Sequence, residues 1–181
     1  YLTGEIQPED YNKFISAIRK FGRLPGTIRL YSPGGDVMAA LKIGEFVRKA
    51  VMKTYVGNGL TSPGKTSCYS SCFLIWIAGA NRYAVLFDDI PSKVRSQIGL
   101  HRPYFDASMF SGLSASDAEA SQRKAMDSVR QYMIRMDVST ALVEEMMRTP
   151  SYNMMILDQE RFDAYIGVHP PGYQVASAKQ E

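Results

Sequence analysis

Four groups of residues in this chain are of a type and spacing that can do chemistry. Ser70, between Tyr69 and Ser71, opens the apolar run that leads to Ala80. A hydroxyl at a helix N-terminus can act as a nucleophile whose oxyanion is met by free N–H groups and by the helix dipole. Serine is equally a favoured N-cap, so the position alone assigns nothing. The G-x-S-x-G of an α/β-hydrolase nucleophile elbow does not occur around Ser70. His101 closes a short apolar run and is followed by Arg102-Pro103. A histidine at a strand end is well placed as a general base, and as often is merely structural. His169 lies in a Pro-rich tail and reads as a loop residue. Gly34-Gly35 forms a break between a strand and a helix, where backbone N–H groups can approach an anion; a plain turn is the simpler reading. Cys68 and Cys72 bracket Ser70. They read as two buried thiols, a disulfide, or a nucleophile with a neighbour, and cysteine is often just a small core residue. A pair four apart at a helix start can be bridged only if the first lies outside the regular helix.

The elements that must position these groups follow from periodicity. Residues 1–6 are a short extended candidate. Tyr11, Phe14, Ile15 and Ile18 recur at helical spacing, and Gly22 and Pro25-Gly26 end that helix. Residues 27–31 alternate as a strand, and Asp36 is placed to cap a helix over 37–51. Residues 53–56 read as a strand, 68–80 as a buried central helix, and 82–87 and 97–101 as strands separated by a polar insert, 88–96. A long helix is expected over 114–136. A second is capped by Asp137 or Ser139 and ends before Pro150, and a last short one spans 158–165. Strands alternating with helices predict a single α/β domain with a largely parallel sheet. Seven of the ten methionines fall between Met126 and Met155, a core or subunit-contact composition rather than a cofactor box. Its apolar content exceeds what two helices extending from the domain could bury alone, which predicts a homo-oligomer whose contacts include them.

The chain has 181 residues, 45% apolar and 22% charged, enough to bury a core without a metal or disulfide framework. Two cysteines and two histidines supply no multi-site metal cage, and no cofactor or metal is expected. Lys+Arg of 21 against Asp+Glu of 18 gives +3, scattered along the chain, which argues against a nucleic-acid partner. The longest apolar stretch, Cys72 to Ala80, is far short of a membrane span. No targeting segment is visible at a start that opens on Tyr1, so location is not read from it.

Together these segments resemble the proteolytic subunit of the Clp protease and the wider ClpP/crotonase fold, over roughly residues 2–167. Tyr31-Ser32-Pro33-Gly34-Gly35 is similar to the family's strand-end S-P-G-G, and Ser70 precedes Gly79 of Ala78-Gly79 by nine residues, as the family's serine precedes its Ala-Gly. Ile98-Gly99-Leu100-His101-Arg102-Pro103 is similar to the segment in which a strand-end histidine precedes a proline by two. Cys68-x-Ser70-x-Cys72 resembles a narrower branch, the ClpP-like proteins assigned to the bacterial periplasm.

The resemblance implies repeated β-β-α units around the sheet, with a helical handle at about 114–149. It implies a serine endopeptidase with Ser70 as nucleophile, His101 as general base, and the N–H groups of Gly35 and Ser71 as oxyanion hole. A peptide or protein is then the substrate, and the exported location makes a Cys68–Cys72 disulfide and a membrane-proximal setting natural. The chain departs from the family in two places. His101 follows Ser70 by 31 residues, a longer interval accounted for by the polar insert. The family's third residue, an Asp before the last helix, has no match, and Asn153 is the one orienting side chain in that stretch, with Asp106 and Asp137 unmatched by position. A Ser-His dyad, a triad with Asn153, and a decayed triad all stay open. Two rival readings follow: a non-catalytic ClpP-like module that binds a peptide or partner, and a crotonase-type acyl-CoA enzyme.

Overall fold

In chain order the first elements are β1 (Leu2–Thr3), α1 (Asp10–Phe21), β2 (Thr27–Tyr31), α2 (Val37–Lys49), β3 (Lys53–Val56), β4 (Ser67–Tyr69) and α3 (Ser71–Trp76). There follow β5 (Arg82–Ala84), β6 (Gln97–Leu100), α4 (Ala115–Arg135), α5 (Thr140–Arg148), β7 (Met155–Ile156) and α6 (Gln159–Tyr165). The computed structural model describes residues 1–57, 67–86, 96–105 and 110–170. The expected mixed α/β architecture is present, with the strands sorted into two sheets. One runs β1-β2-β3-β5 with every pair parallel. In the other, β4 pairs parallel with β6, and β7 antiparallel with β6. The sheets are linked where Ser32, just past β2, bridges Cys68: Ser32 N–H donates to Ser67 O and Tyr69 N–H to Ser32 O, both at 3.0 Å.

Parallel neighbours need crossovers, and α1 and α2 provide the first of them. Asp36 caps α2 as expected, its carboxylate accepting from Ala39 N–H at 2.6 Å. α2 buries Ala39, Ala40, Leu41, Ile43 and Val47, and small residues let its neighbours come close. A Cβ on Gly44 would lie 1.8 Å from the Tyr132 hydroxyl, which donates to Leu74 O at 2.7 Å. Burial raises the pKa of that phenol, so it stays a donor.

Three expectations need correction. The segment 68–80 is not one helix: Cys68 and Tyr69 are extended in β4, and α3 covers only Ser71–Trp76. An all-round apolar run reads the same whether buried as strand or helix, and here the edge offered by Ser32 and β6 selects strand. β7 lies in a stretch read as loop, since two residues carry no period. Finally, Val129, Met133, Met136, Leu142, Val143, Met146 and Met147 are all buried within the single chain, and Met126 is half-buried. Tyr132 of α4 fits against Gly44 of α2 and donates to Leu74 O of α3, so these residues are core of the single chain and not the exposed seam expected of them. Of the two expected caps for α5, Ser139 serves, accepting from Ala141 N–H; Asp137 instead pairs with Arg48 at 3.0 Å. The polar insert, apart from Ser96, lies outside the described residues.

Two guanidinium groups pin the helical layer to the serine-bearing core. Arg48 donates to Ala78 O, Ile77 O and Met136 O at 3.0–3.2 Å, and Arg82 donates to Ile166 O at 3.1 Å and also to Met136 O. Three helix ends (α3, α4 and α6) thereby have last-turn carbonyls met by cations, where the macrodipole favours them. Arg82 is fully buried. Its burial, with the neighbouring Arg48 adding to the effect, pushes its pKa down to about 9. Arg82→Met should therefore take the guanidinium from Ile166 O, leave Met136 O to Arg48 alone, and lower stability by about 2–4 kcal/mol, read as a fall in urea midpoint at unchanged m.

Candidate active site

Ser70 stands at the sharp junction of β4 and α3, with φ +54° and ψ −124°. A positive φ at a non-glycine residue costs on the order of 1–3 kcal/mol and persists only where surrounding contacts enforce it. Ser70 N–H donates to Gly99 O at 2.8 Å and Ser70 O accepts from Phe73 N–H at 3.0 Å, so strand and helix each hold one side of the residue. Its side chain makes no capping hydrogen bond, although it occupies the N-cap position. The simple reading of Ser70 as a helix cap is thereby removed, and its hydroxyl is left for another use. The strand-turn-helix of a nucleophile elbow is formed here without flanking glycines: the positions two before and two after Ser70 are Cys68 and Cys72, joined in a disulfide. The bridge meets the geometric condition, since Cys68 belongs to the strand and not to the helix.

The Gly34-Gly35 turn lies against this junction. Ser32 Oγ accepts from Gly34 N–H at 3.0 Å and fixes the bend. Gly34, at φ +106°, is pressed on the Ser70 turn: a Cβ there would sit 2.7 Å from Ser70 Cβ and 2.8 Å from Tyr69 O. Gly35, at φ +132°, runs beside Ile6, which accepts from Asp36 N–H and donates to Gly34 O, both at 2.7 Å. Gly35 O accepts from Ser71 Oγ at 3.0 Å, coupling the turn to the first residue of α3. The N–H groups of Gly35 and Ser71 form no hydrogen bond among the described residues. Ser71 N–H is one of the unsatisfied donors of a helix start.

His101 follows β6 directly, and its Nδ1 lies 2.8 Å from Arg102 O. A carbonyl only accepts, so Nδ1 carries the proton and Nε2 holds the lone pair that a general base needs. Ser70, His101 and Gly35 line one cleft of about 450 Å³, together with Val37, Tyr104, Ser151 and Tyr152. Ser70 Oγ and the ring are not hydrogen-bonded to each other; the ring's bond is to Arg102 O.

The structure thus brings together Ser70, His101, Gly35 and Ser71. Asn153 is exposed and its Oδ1 accepts from Met154 N–H at 2.9 Å, so it does not orient the imidazole. Asp137 is engaged by Arg48, and Asp106 lies outside the described residues. His169 follows α6 and does not line the cleft. Sequence reasoning missed the Arg102 carbonyl, which no residue type announces. It also missed Tyr104 and Tyr152, two exposed aromatics at the cleft for which exposure, not identity, is the signal. A larger groove of about 690 Å³ between α2 and α4 is lined by Met38, Lys42, Glu45, Arg123, Asp127 and Arg135 among others. Its carboxylates Glu45 and Asp127 pair with Arg135 and Arg130, and its Ser128 hydroxyl donates to Lys124 O, so no hydroxyl there is set beside a base and chemistry points to the smaller cleft. Among the described residues no cluster of His, Cys, Asp and Glu could hold a metal ion.

Asn153→Ala should change the rate of Ser70 acylation by no more than about twofold, whereas loss of a residue that orients the base typically costs about 10⁴-fold. Nitrogen NMR of the imidazole should report the Nδ1–H tautomer in both proteins.

No family model matches the chain, and no curated protein matches it.

Proposed function

We propose that the chain is a serine peptidase of ClpP/crotonase-like fold, built on β-β-α units, that cleaves peptide bonds through an acyl-enzyme at Ser70. The observation that carries this reading is the strained, uncapped Ser70 set in one cleft with His101 and Gly35. Ser70 Oγ attacks the scissile carbonyl carbon as His101 Nε2 takes its proton. The tetrahedral oxyanion accepts from Gly35 N–H and Ser71 N–H. The C–N bond then breaks, and the leaving amine takes the proton from His101. Water, deprotonated by the same nitrogen, attacks the ester carbonyl and frees Ser70. Arg102 O, accepting from Nδ1–H, takes the orienting place that a carboxylate fills in a full triad. The disulfide suits an oxidising compartment, and an exported, periplasmic location belongs to the same proposal.

A fluorophosphonate, which phosphonylates activated serines with loss of fluoride, tests it: the expected result is one adduct, placed on Ser70 by peptide mass spectrometry. The unbonded Ser70–His101 pair, and a His101 ring met by no carboxylate among the described residues, favour a second reading, a ClpP-like peptide-binding module. Folded wild-type protein that takes no label would establish the second reading over the first.

A further inference from the structure

The residue held at positive φ is also the residue enclosed by a covalent loop. Cys68 and Cys72 stand two before and two after Ser70, with Cα atoms 5.2 Å apart, and neither is exposed. One belongs to β4 and the other to the first turn of α3, so the bond fastens strand to helix across the nucleophile. An elbow built with glycines at these positions can turn sharply because its flanks are small. Here the flanks carry side chains, and the turn is closed by joining them. The backbone bonds of Ser70, to Gly99 O and from Phe73 N–H, secure its two ends, but its hydroxyl makes no capping bond and holds no partner among the described residues.

We infer that the Cys68–Cys72 disulfide is the positioning element of Ser70: it enforces the positive φ, so the site is competent in the oxidised chain and not in the reduced one. The inference rests on reading Ser70 as the nucleophile. Formation of the bond takes two electrons and two protons from the paired thiols and passes them to an external disulfide, which leaves as a dithiol. Reduction by a dithiol runs the same exchange backwards through a mixed disulfide. Because both sulfurs are buried, either direction requires β4 and α3 to part locally. The bond is therefore set while the domain matures and does not respond rapidly to thiols afterwards.

The test compares three samples: oxidised protein, the same protein reduced with dithiothreitol in mild urea and returned to buffer with the reductant, and the double variant Cys68→Ala, Cys72→Ala. Far-UV circular dichroism monitors the fold, NMR shifts and couplings give φ of Ser70, and fluorophosphonate labelling gives the rate. The expected result is a retained fold, a change of sign in φ, and labelling slowed by about 100-fold or more, the penalty of ångström-scale misplacement. Reoxidation of the reduced wild type should restore both. A folded, reduced chain with Ser70 still at positive φ and labelling at the oxidised rate overturns the inference. If the double variant does not fold, reduced wild type decides, and if that unfolds too the bond supports the whole domain and the inference is overturned. Oxidised protein that keeps the positive φ but takes no label removes the nucleophile reading alone. The torsion then decides on the clamp: inversion on reduction supports it, and persistence overturns it.

Discussion

Ser70→Ala is expected to abolish labelling of the site, and His101→Ala to slow it by about 10⁴-fold or more, with the double variant as silent as Ser70→Ala. The two outcomes follow from the roles. Without Oγ there is no attacking atom, and without Nε2 the hydroxyl keeps its proton and stays a weak nucleophile. What residual labelling survives in His101→Ala comes from binding and from the Gly35 and Ser71 donors, which that substitution does not touch. Both variants should stay folded, because among the described residues the Ser70 hydroxyl makes no hydrogen bond and the His101 ring meets the carbonyl of the next residue alone. Second-order labelling rates, taken beside urea midpoints, check the pair together. Undiminished labelling of Ser70→Ala would assign the nucleophile elsewhere. A His101→Ala protein that labels at the wild-type rate would remove the base and leave a serine activated by other means.

How much of this is legible in residue types depends on whether the decisive contact leaves a mark in them. The Gly34-Gly35 break is visible, and so is the helix it introduces, because glycine and an Asp cap are punctuation. The reason for the glycines is not visible: Gly34 is there for Ser70 and Gly35 for Ile6, contacts made across 36 and 29 positions of the chain. The Ser70 junction can be located from the apolar run behind it, yet nothing in the letters reports a positive φ at a serine. A search for a third catalytic member looks among carboxylates and amides and settles on Asn153, whereas the imidazole is met by a backbone carbonyl. The methionine-rich helices show the opposite failure. Composition counts apolar side chains correctly but cannot say that Gly44 leaves room for Tyr132, and with it for α4 to lie down on α2 and α3. An excess of apolar surface thus becomes ordinary core.

Gly35→Ala should slow labelling by about 10²–10³-fold, the size of effect seen when one oxyanion donor is lost. The space for a methyl group is absent: a Cβ at Gly35 would lie 2.2 Å from Ile6 O and 2.7 Å from Ile6 N, both backbone atoms. Relief requires the Ile6 segment after β1 to move away or the Gly34–Gly35 peptide to rotate. Moving Ile6 breaks the bonds from Asp36 N–H to Ile6 O and from Ile6 N–H to Gly34 O; rotating the peptide turns the Gly35 N–H away from its present direction and carries Gly34 O off Ile6 N–H. Alanine also disfavours φ of +132°, so stability should fall by about 1–3 kcal/mol in either case. The two routes differ in what they do to the chemistry. Loss of stability with labelling intact, measured well below the urea midpoint, would mean that the Ile6 segment gives way and that Gly35 serves the fold alone. Loss of rate beyond the fraction unfolded would mean that the peptide turns, and that its N–H belongs to the oxyanion hole. Ala at position 34 is the matching control, since its Cβ would meet Ser70 Cβ and Tyr69 O and disturb the nucleophile instead of the donor. Gly34→Ala should therefore slow labelling with the Ile6 contacts unchanged, and a Gly35→Ala protein that matches wild type in both rate and midpoint would remove Gly35 from the site.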